Sequence, residues 1–154
     1  MKISSNDIAV FISRLGFSSF LMTHGIVKFY RLLEGNIKFG NPIGIGSEIS
    51  LYLTVFSELI APALIILGFK TRFFSLFPAI TMFVAAFIVH GNDPFKKMEL
   101  ALLFLTGFII ILINGPGKIS LDYFLSKKSS RYFGSDNFKS CEIFFNLNSL
   151  FLNN

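Results

Sequence analysis

Four apolar stretches, Ile8–Val27, Ile49–Leu67, Phe73–His90 and Met98–Asn114, each run for 17 to 20 residues. Nothing else in the chain narrows its fold as much. A bilayer core about 30 Å thick takes about 20 residues of α-helix, at a rise of about 1.5 Å per residue. The stretches are apolar nearly all round, whereas the core helices of a soluble domain keep one polar face. None alternates with a period of two, which argues against barrel strands. Composition points the same way. Apolar residues reach 53% and charged residues only 15%, with 21 Phe and a mean hydropathy of +0.65. A soluble domain carries roughly 25% charged residues. The expected architecture is all-α, a membrane four-helix up-down bundle with a long first extramembrane loop.

Gly68-Phe69-Lys70-Thr71-Arg72 and Gly91–Lys97 separate the later spans, and Gly115-Pro116-Gly117 ends the fourth. Links this short make neighbouring helices antiparallel. The first link, Lys28–Glu48, is 21 residues long. Span one extends as helix through Glu34. The Gly-rich remainder, Gly40–Gly46, is apolar between its glycines, so it either folds back over the bundle mouth as a lid or re-entrant piece, or stays solvated. No strand precedes it, so it is not a dinucleotide fingerprint. Arg14 and the lack of a small-x-small cleavage site mark span one as retained. Residues 1–125 form the membrane unit and 126–154 a basic tail. Within the tail, Ser126–Lys139 is a polar juxtamembrane segment. Ile143, Leu147, Leu150 and Phe151 share one face of an interfacial helix over Cys141–Leu152. A single Cys excludes an intrachain disulfide, a CxxC redox pair and a Cys-based zinc site. The net charge of +5 in such a chain fits anionic lipid better than nucleic acid.

Loop charges set orientation weakly. Lys2, Lys70, Arg72, Lys118, Lys127 and Lys128 lie on one side, against Lys28, Arg31, Lys38, Lys96 and Lys97 on the other. Arg14, Arg131 and Lys139 tip the balance towards both termini in the cytoplasm.

An ionisable side chain inside the bilayer costs roughly 2.5–3.5 kcal/mol and is expected to face a partner or a cavity. Arg14 lies about 9 Å from one boundary and Glu58 about 13.5 Å from the other, which leaves an axial gap of about 7–8 Å. This predicts an Arg14–Glu58 ion pair, direct or water-bridged. Pro62 cannot donate to the carbonyl of residue 58, so an acceptor is freed beside that carboxylate. Helix parity places His24, Lys28, His90 and Glu99 at one depth, at the opposite end from Arg14. Together they offer proton donors and acceptors to a carbonyl or an anion.

Each residue also has a plainer reading. His90 caps a helix near water, Lys28 snorkels, Glu99 suits the helix dipole, and Arg14–Glu58 is a structural clasp. Asp122 caps or anchors the tail, Tyr30 and Tyr52 are interface anchors, and Cys141 is a free thiol without a role. The sequence predicts no metal site. His24 and His90 stand near a boundary on unrepeated motifs, unlike a haem pair.

Several of these residues carry a resemblance. Arg14 with His24-Gly25-x-x-Lys28 resembles the first span of the DoxX family of small membrane proteins. Glu58 with Leu67–Arg72 is similar to its second span and turn, and Met82-x-x-Ala85 with His90 to its third. Glu99-Leu-Ala-Leu-Leu is similar to its fourth, and Asn114-Gly115-Pro116-Gly117 through Asp122 to its closing motif. The resemblance covers about residues 8–125. It implies a multi-pass protein of the bacterial inner membrane, with relatives linked to a quinone-reducing thiosulfate oxidoreductase and to oxidative stress. The expected function is an accessory or quinone-handling subunit of a membrane redox system. No flavin, haem, iron–sulfur or thiol-pair motif stands in the chain, so a soluble or membrane redox partner would deliver electrons. The quinone would be bound non-covalently at His24, Lys28, His90 and Glu99. The competing readings are a non-enzymatic membrane scaffold or assembly factor, and a small proton-coupled transporter, which would need a homo-oligomer.

Overall fold

The structure, a computed structural model, describes residues 3–133. Among these it is all helical. Helix α1 spans Ser5–Leu33, α2 Ser47–Leu67, α3 Thr71–Val89 and α4 Phe95–Asn114, and each is long and apolar enough to cross a membrane. A fifth helix, α5, runs Leu121–Phe133. It crosses the expected junction at residue 125. The helix expected over Cys141–Leu152 lies outside the described residues.

Local signals explain the boundaries. Ser4 and Asp7 form a capping box. Asp7 N–H donates to Ser4 Oγ at 3.3 Å, and Ser4 N–H donates to the Asp7 carboxylate at 2.9 Å. Helix α1 has 29 residues, so it is about 43 Å long and outreaches the bilayer core. Helix α2 ends in a Schellman motif. Gly68 takes the left-handed conformation at φ +75°, and the Phe69 and Gly68 N–H groups donate to Leu64 O and Ile65 O. The following turn needs no polar cap of its own. Asp122, far along the chain, accepts from the N–H groups of Lys70 at 2.8 Å and Thr71 at 3.1 Å and caps α3 in trans.

Each helix packs on its two neighbours, α1 on α2, α2 on α3, α3 on α4 and α4 back on α1, which closes the bundle into a ring. Its centre is built from Leu21, Ile65, Met82, Ala86, Phe104, Phe108 and Ile111. Large apolar side chains such as Phe20, Ile80, Leu103 and Ile113 cover the outside. That inside-out distribution suits a solvent of acyl chains. In lipid the helices are held by close packing and polar contacts rather than by hydrophobic burial. Small residues mark the closest approaches. A β-carbon on Gly25 would meet the Glu58 backbone, and one on Gly107 would meet the Phe17 ring.

Two helices widen into single π turns, at Phe56–Ile60 in α2 and Ala85–Val89 in α3. In each, the closing N–H donates five residues back, Ala61 to Phe56 O and His90 to Ala85 O. Glu58 sits inside the first turn, ahead of Pro62. His90 follows the second.

The 34–46 loop is exposed over most of its length, yet its apolar residues lie against the bundle. Phe39, Pro42, Ile43 and Ile45 fold back onto the outer side of α2 and α3, where they roof a cavity of about 160 Å³. Asn41 Oδ1 accepts from Gly46 N–H at 3.0 Å and holds the loop closed.

Candidate functional site

The ionisable residues of the spans separate into two groups, one at each end of the bundle. The expected Arg14–Glu58 pair is not formed. Glu58 pairs with Lys28, and Arg14 donates to main-chain carbonyls. The reason is register. Gly25 packs against the Glu58 carbonyl, where an added β-carbon would lie 2.6 Å from it. Glu58 is therefore level with Gly25. Lys28 is three residues away along α1, about 4.5 Å of rise, whereas Arg14 is eleven residues away, about 16.5 Å.

Arg14 is 1% exposed. Its Nη2 donates to Ile66 O at 3.1 Å and Ile119 O at 3.0 Å, and its Nη1 to Pro116 O. The guanidinium thus joins α1 to the end of α2 and to the segment that follows α4. A planar fork with five donors can serve three acceptors at once, and an ammonium cannot reproduce that geometry. Nearby, Lys118 N–H and Nζ reach the Asp7 carboxylate at 3.2 Å and 3.4 Å. Arg14→Lys is expected to lower stability by about 2 kcal/mol, since hydrogen bonds to charged groups contribute roughly 1.5–3 kcal/mol each and a lysine retains part of them. Faster proteolysis of residues 115–121 in detergent-purified protein is the measurement. Wild-type resistance would show that the clasp carries no load.

At the other end, a cavity of about 190 Å³ opens between all four spans. Helix α1 contributes Leu21, His24 and Lys28, and α2 contributes Glu58. Met82, Ala85 and His90 line it from the third span, and Lys97, Leu100, Ala101 and Phe104 from α4. The Glu58 side chain is 4% exposed and that of Lys28 24%. The carboxylate is thus the buried partner, and the lysine stem reaches inward from nearer the mouth to meet it. The His24 ring stands edge-on to Phe104, with centroids 6.0 Å apart. His90 Nδ1 lies 2.8 Å from Asp93 Oδ2 and donates to it, since an ionised carboxylate can only accept. Lys97 Nζ donates to the other oxygen of Asp93 at 3.1 Å.

These two donors, His90 first and then Lys97, hold Asp93 below the usual carboxylate range. A depressed acid supports the fold above its unfolded value and loses that support as pH falls through its folded value. The rim clamp is therefore intact at neutral pH and opens only in strong acid.

Three of the four residues expected at this depth, His24, Lys28 and His90, line the cavity. Glu99 does not. Positions 97, 100, 101 and 104 form one face of α4, and at about 100° per residue position 99 lies on the opposite side. There Glu99 is exposed. His90 reaches the lining because the π turn inserts one residue, so that position 90 replaces position 89 on the inner face. Val89 is 52% exposed on the outside. The sequence reading missed Asp93 and Lys97. The signal was their spacing, three and seven residues after His90 around the loop and into the first turn of α4.

Comparisons with known proteins bear on this arrangement. An uncharacterized protein of Haemophilus influenzae is 32% identical over 87 residues, which cover 54% of this chain and 58% of that protein's length. A second relative, inner membrane protein YqjF of Escherichia coli, is 29% identical over 128 residues, covering 79% of this chain and 95% of the relative. No solved structure matches. The DoxX family model matches residues 9–91, a stretch that holds Arg14, His24, Lys28, Glu58 and His90. With more than half of its length matched, its four membrane-spanning helices and this ordered set of polar residues, the chain belongs to the DoxX family of membrane proteins.

Proposed function

We propose that the chamber between the four spans receives the headgroup of a quinone, and that the protein is an accessory, quinone-handling subunit of a membrane redox system. The supporting observation is the Lys28–Glu58 pair, with its carboxylate buried, facing a cavity that both histidines line. A bound quinone supplies two carbonyl oxygens that take up protons as electrons arrive from a partner. Lys28 can donate to one such oxygen while Glu58 holds its ammonium in place. Asp93 engages His90 Nδ1 and leaves Nε2 as the nitrogen open to a ligand. His24, braced on Phe104, offers a second imidazole. The apolar, Phe-rich spans around the chamber suit a hydrocarbon tail. The inner membrane, named for the YqjF relative, is the compartment this reading needs, with both termini in the cytoplasm.

The test is quinone binding by purified protein. Glu58→Gln and His24→Ala are each expected to weaken it at least about tenfold, or about 1.4 kcal/mol, while Glu99→Gln leaves it unchanged. Equal binding by all three would remove the chamber as the site. A membrane scaffold is the competing reading, favoured by the Arg14 clasp, whose polar groups serve only to hold helices together. It expects no quinone binding in the wild type.

A further inference from the structure

The chamber and the loop-roofed cavity lie back to back. Ser57 lines the outer cavity and Glu58 the chamber. Across the seam, Thr81 and Val84 line the outer cavity, Met82 and Ala85 the chamber. The wall between them is one residue thick on each helix. One polar contact closes it, Ser57 Oγ to Thr81 Oγ1 at 2.7 Å. Both π turns of the molecule's described residues border this wall, at Phe56–Ile60 and Ala85–Val89. A π turn interrupts the regular i to i+4 ladder and recurs at functional positions in helices. The outer cavity is apolar and belongs to the lipid-facing side of the bundle. Leu53 and Ile80 at its edge are 50% and 60% exposed.

We propose that the outer cavity is a binding site for the hydrocarbon tail of the molecule whose headgroup enters the chamber, and that the Ser57–Thr81 seam is the lateral gate between them. The ligand class is an amphiphile with a compact hydrogen-bonding head and a long apolar chain. This rests on the quinone-headgroup reading above and adds where the tail lies and how the molecule gets in. The reasoning is one of phases. Such a molecule is dissolved in the bilayer, and its head reaches a chamber ringed by four helices only between two of them. The α2–α3 seam is bordered by both widened turns and is closed by one hydroxyl contact. The roof formed by Phe39, Pro42 and Ile43 then covers the tail and shields it from water.

A reversible lock tests this. Ser57→Cys with Thr81→Cys, in a Cys141→Ser background, replaces hydroxyls 2.7 Å apart with thiols, close to the ~2.05 Å of a disulfide. The protein is reconstituted in phosphatidylcholine–phosphatidylglycerol vesicles. It is then photolabelled with an azido-benzoquinone, in one arm bearing an isoprenoid tail and in the other lacking it. Labelled peptides are read by mass spectrometry. Oxidation is expected to cut chamber labelling by the tailed probe at least about tenfold, as a competent fraction below about one tenth requires. Labelling by the tail-less probe should stay the same, because that probe enters from the aqueous mouth. Reduction of the same sample should restore the tailed signal. Equal labelling by the tailed probe in both redox states overturns the gate. Failure of the tail-less probe to label the chamber in either state sinks the headgroup reading, and the gate with it. If the disulfide does not close, Val84→Phe fills the outer cavity and should depress only the tailed probe. Equal labelling by both probes in Val84→Phe overturns the tail site.

Discussion

Gly25→Ala is expected to destabilise the bundle by about 2–3 kcal/mol, near the upper end of what overpacking a well-filled contact costs. The added methyl would lie 2.6 Å from the carbonyl carbon and oxygen of Glu58 and 3.0 Å from Leu59 N. All three are main-chain atoms, so no rotamer change relieves the clash. Helix α1 has to move away from α2, and the Lys28–Glu58 pair loosens with it. Gly16→Ala is the matched control on the same helix. Nothing lies within 4 Å of its added carbon, and alanine in a helix interior is favoured by roughly 0.5–1 kcal/mol over glycine. Thermal midpoints of the two variants in one detergent decide the matter. If Gly25→Ala melts with Gly16→Ala, the close approach of α1 to the π turn is wrong.

Lys28→Met has the second large effect. It leaves the Glu58 carboxylate, with a side chain 4% exposed, without its cation. Stranding a charge at that depth costs about 3 kcal/mol. Glu58→Gln should cost clearly less, because the lysine stem is long enough to carry its ammonium to the mouth. Removing both charges in Lys28→Met/Glu58→Leu should recover most of the loss, as replacing a whole buried pair by apolar side chains is often near neutral. Denaturation of the three variants in matched micelles tests the ordering. A double variant weaker than Lys28→Met alone would mean that Glu58 is held by something other than Lys28.

The bundle itself was plain in the chain. Four runs of bilayer length, punctuated by Gly68, Gly91 and Gly115, fix the number of spans and their antiparallel order, and Lys28 and His24 share a helix face wherever α1 begins. Register between helices was not plain. The Arg14–Glu58 expectation assumed equal depths for span boundaries that the apolar pattern marks only to within a few residues. Two turns of error in relative height, set by one glycine contact, moved the carboxylate from one cation to another. The π turns leave no mark in hydrophobic periodicity, since one inserted residue in 20 barely shifts the pattern. Pro62 hinted at the first. Nothing announced the second, and so His90 was placed by parity alone and Asp93 was overlooked. Glu99 failed for the complementary reason. Depth was read from helix length, but which way the side chain faces depends on the partner that packs alongside.

The Arg14 clasp also bears on biogenesis. Two of its acceptors, Pro116 and Ile119, lie 102 and 105 residues downstream. At roughly 5–20 residues per second of translation, the guanidinium waits roughly 5–20 s before the ribosome has made the groups that receive it. Until then the nascent first hairpin offers the cation only one of its three carbonyl partners, Ile66 O. The last residues of the membrane unit to be synthesised are therefore the ones that lock the first helix in place.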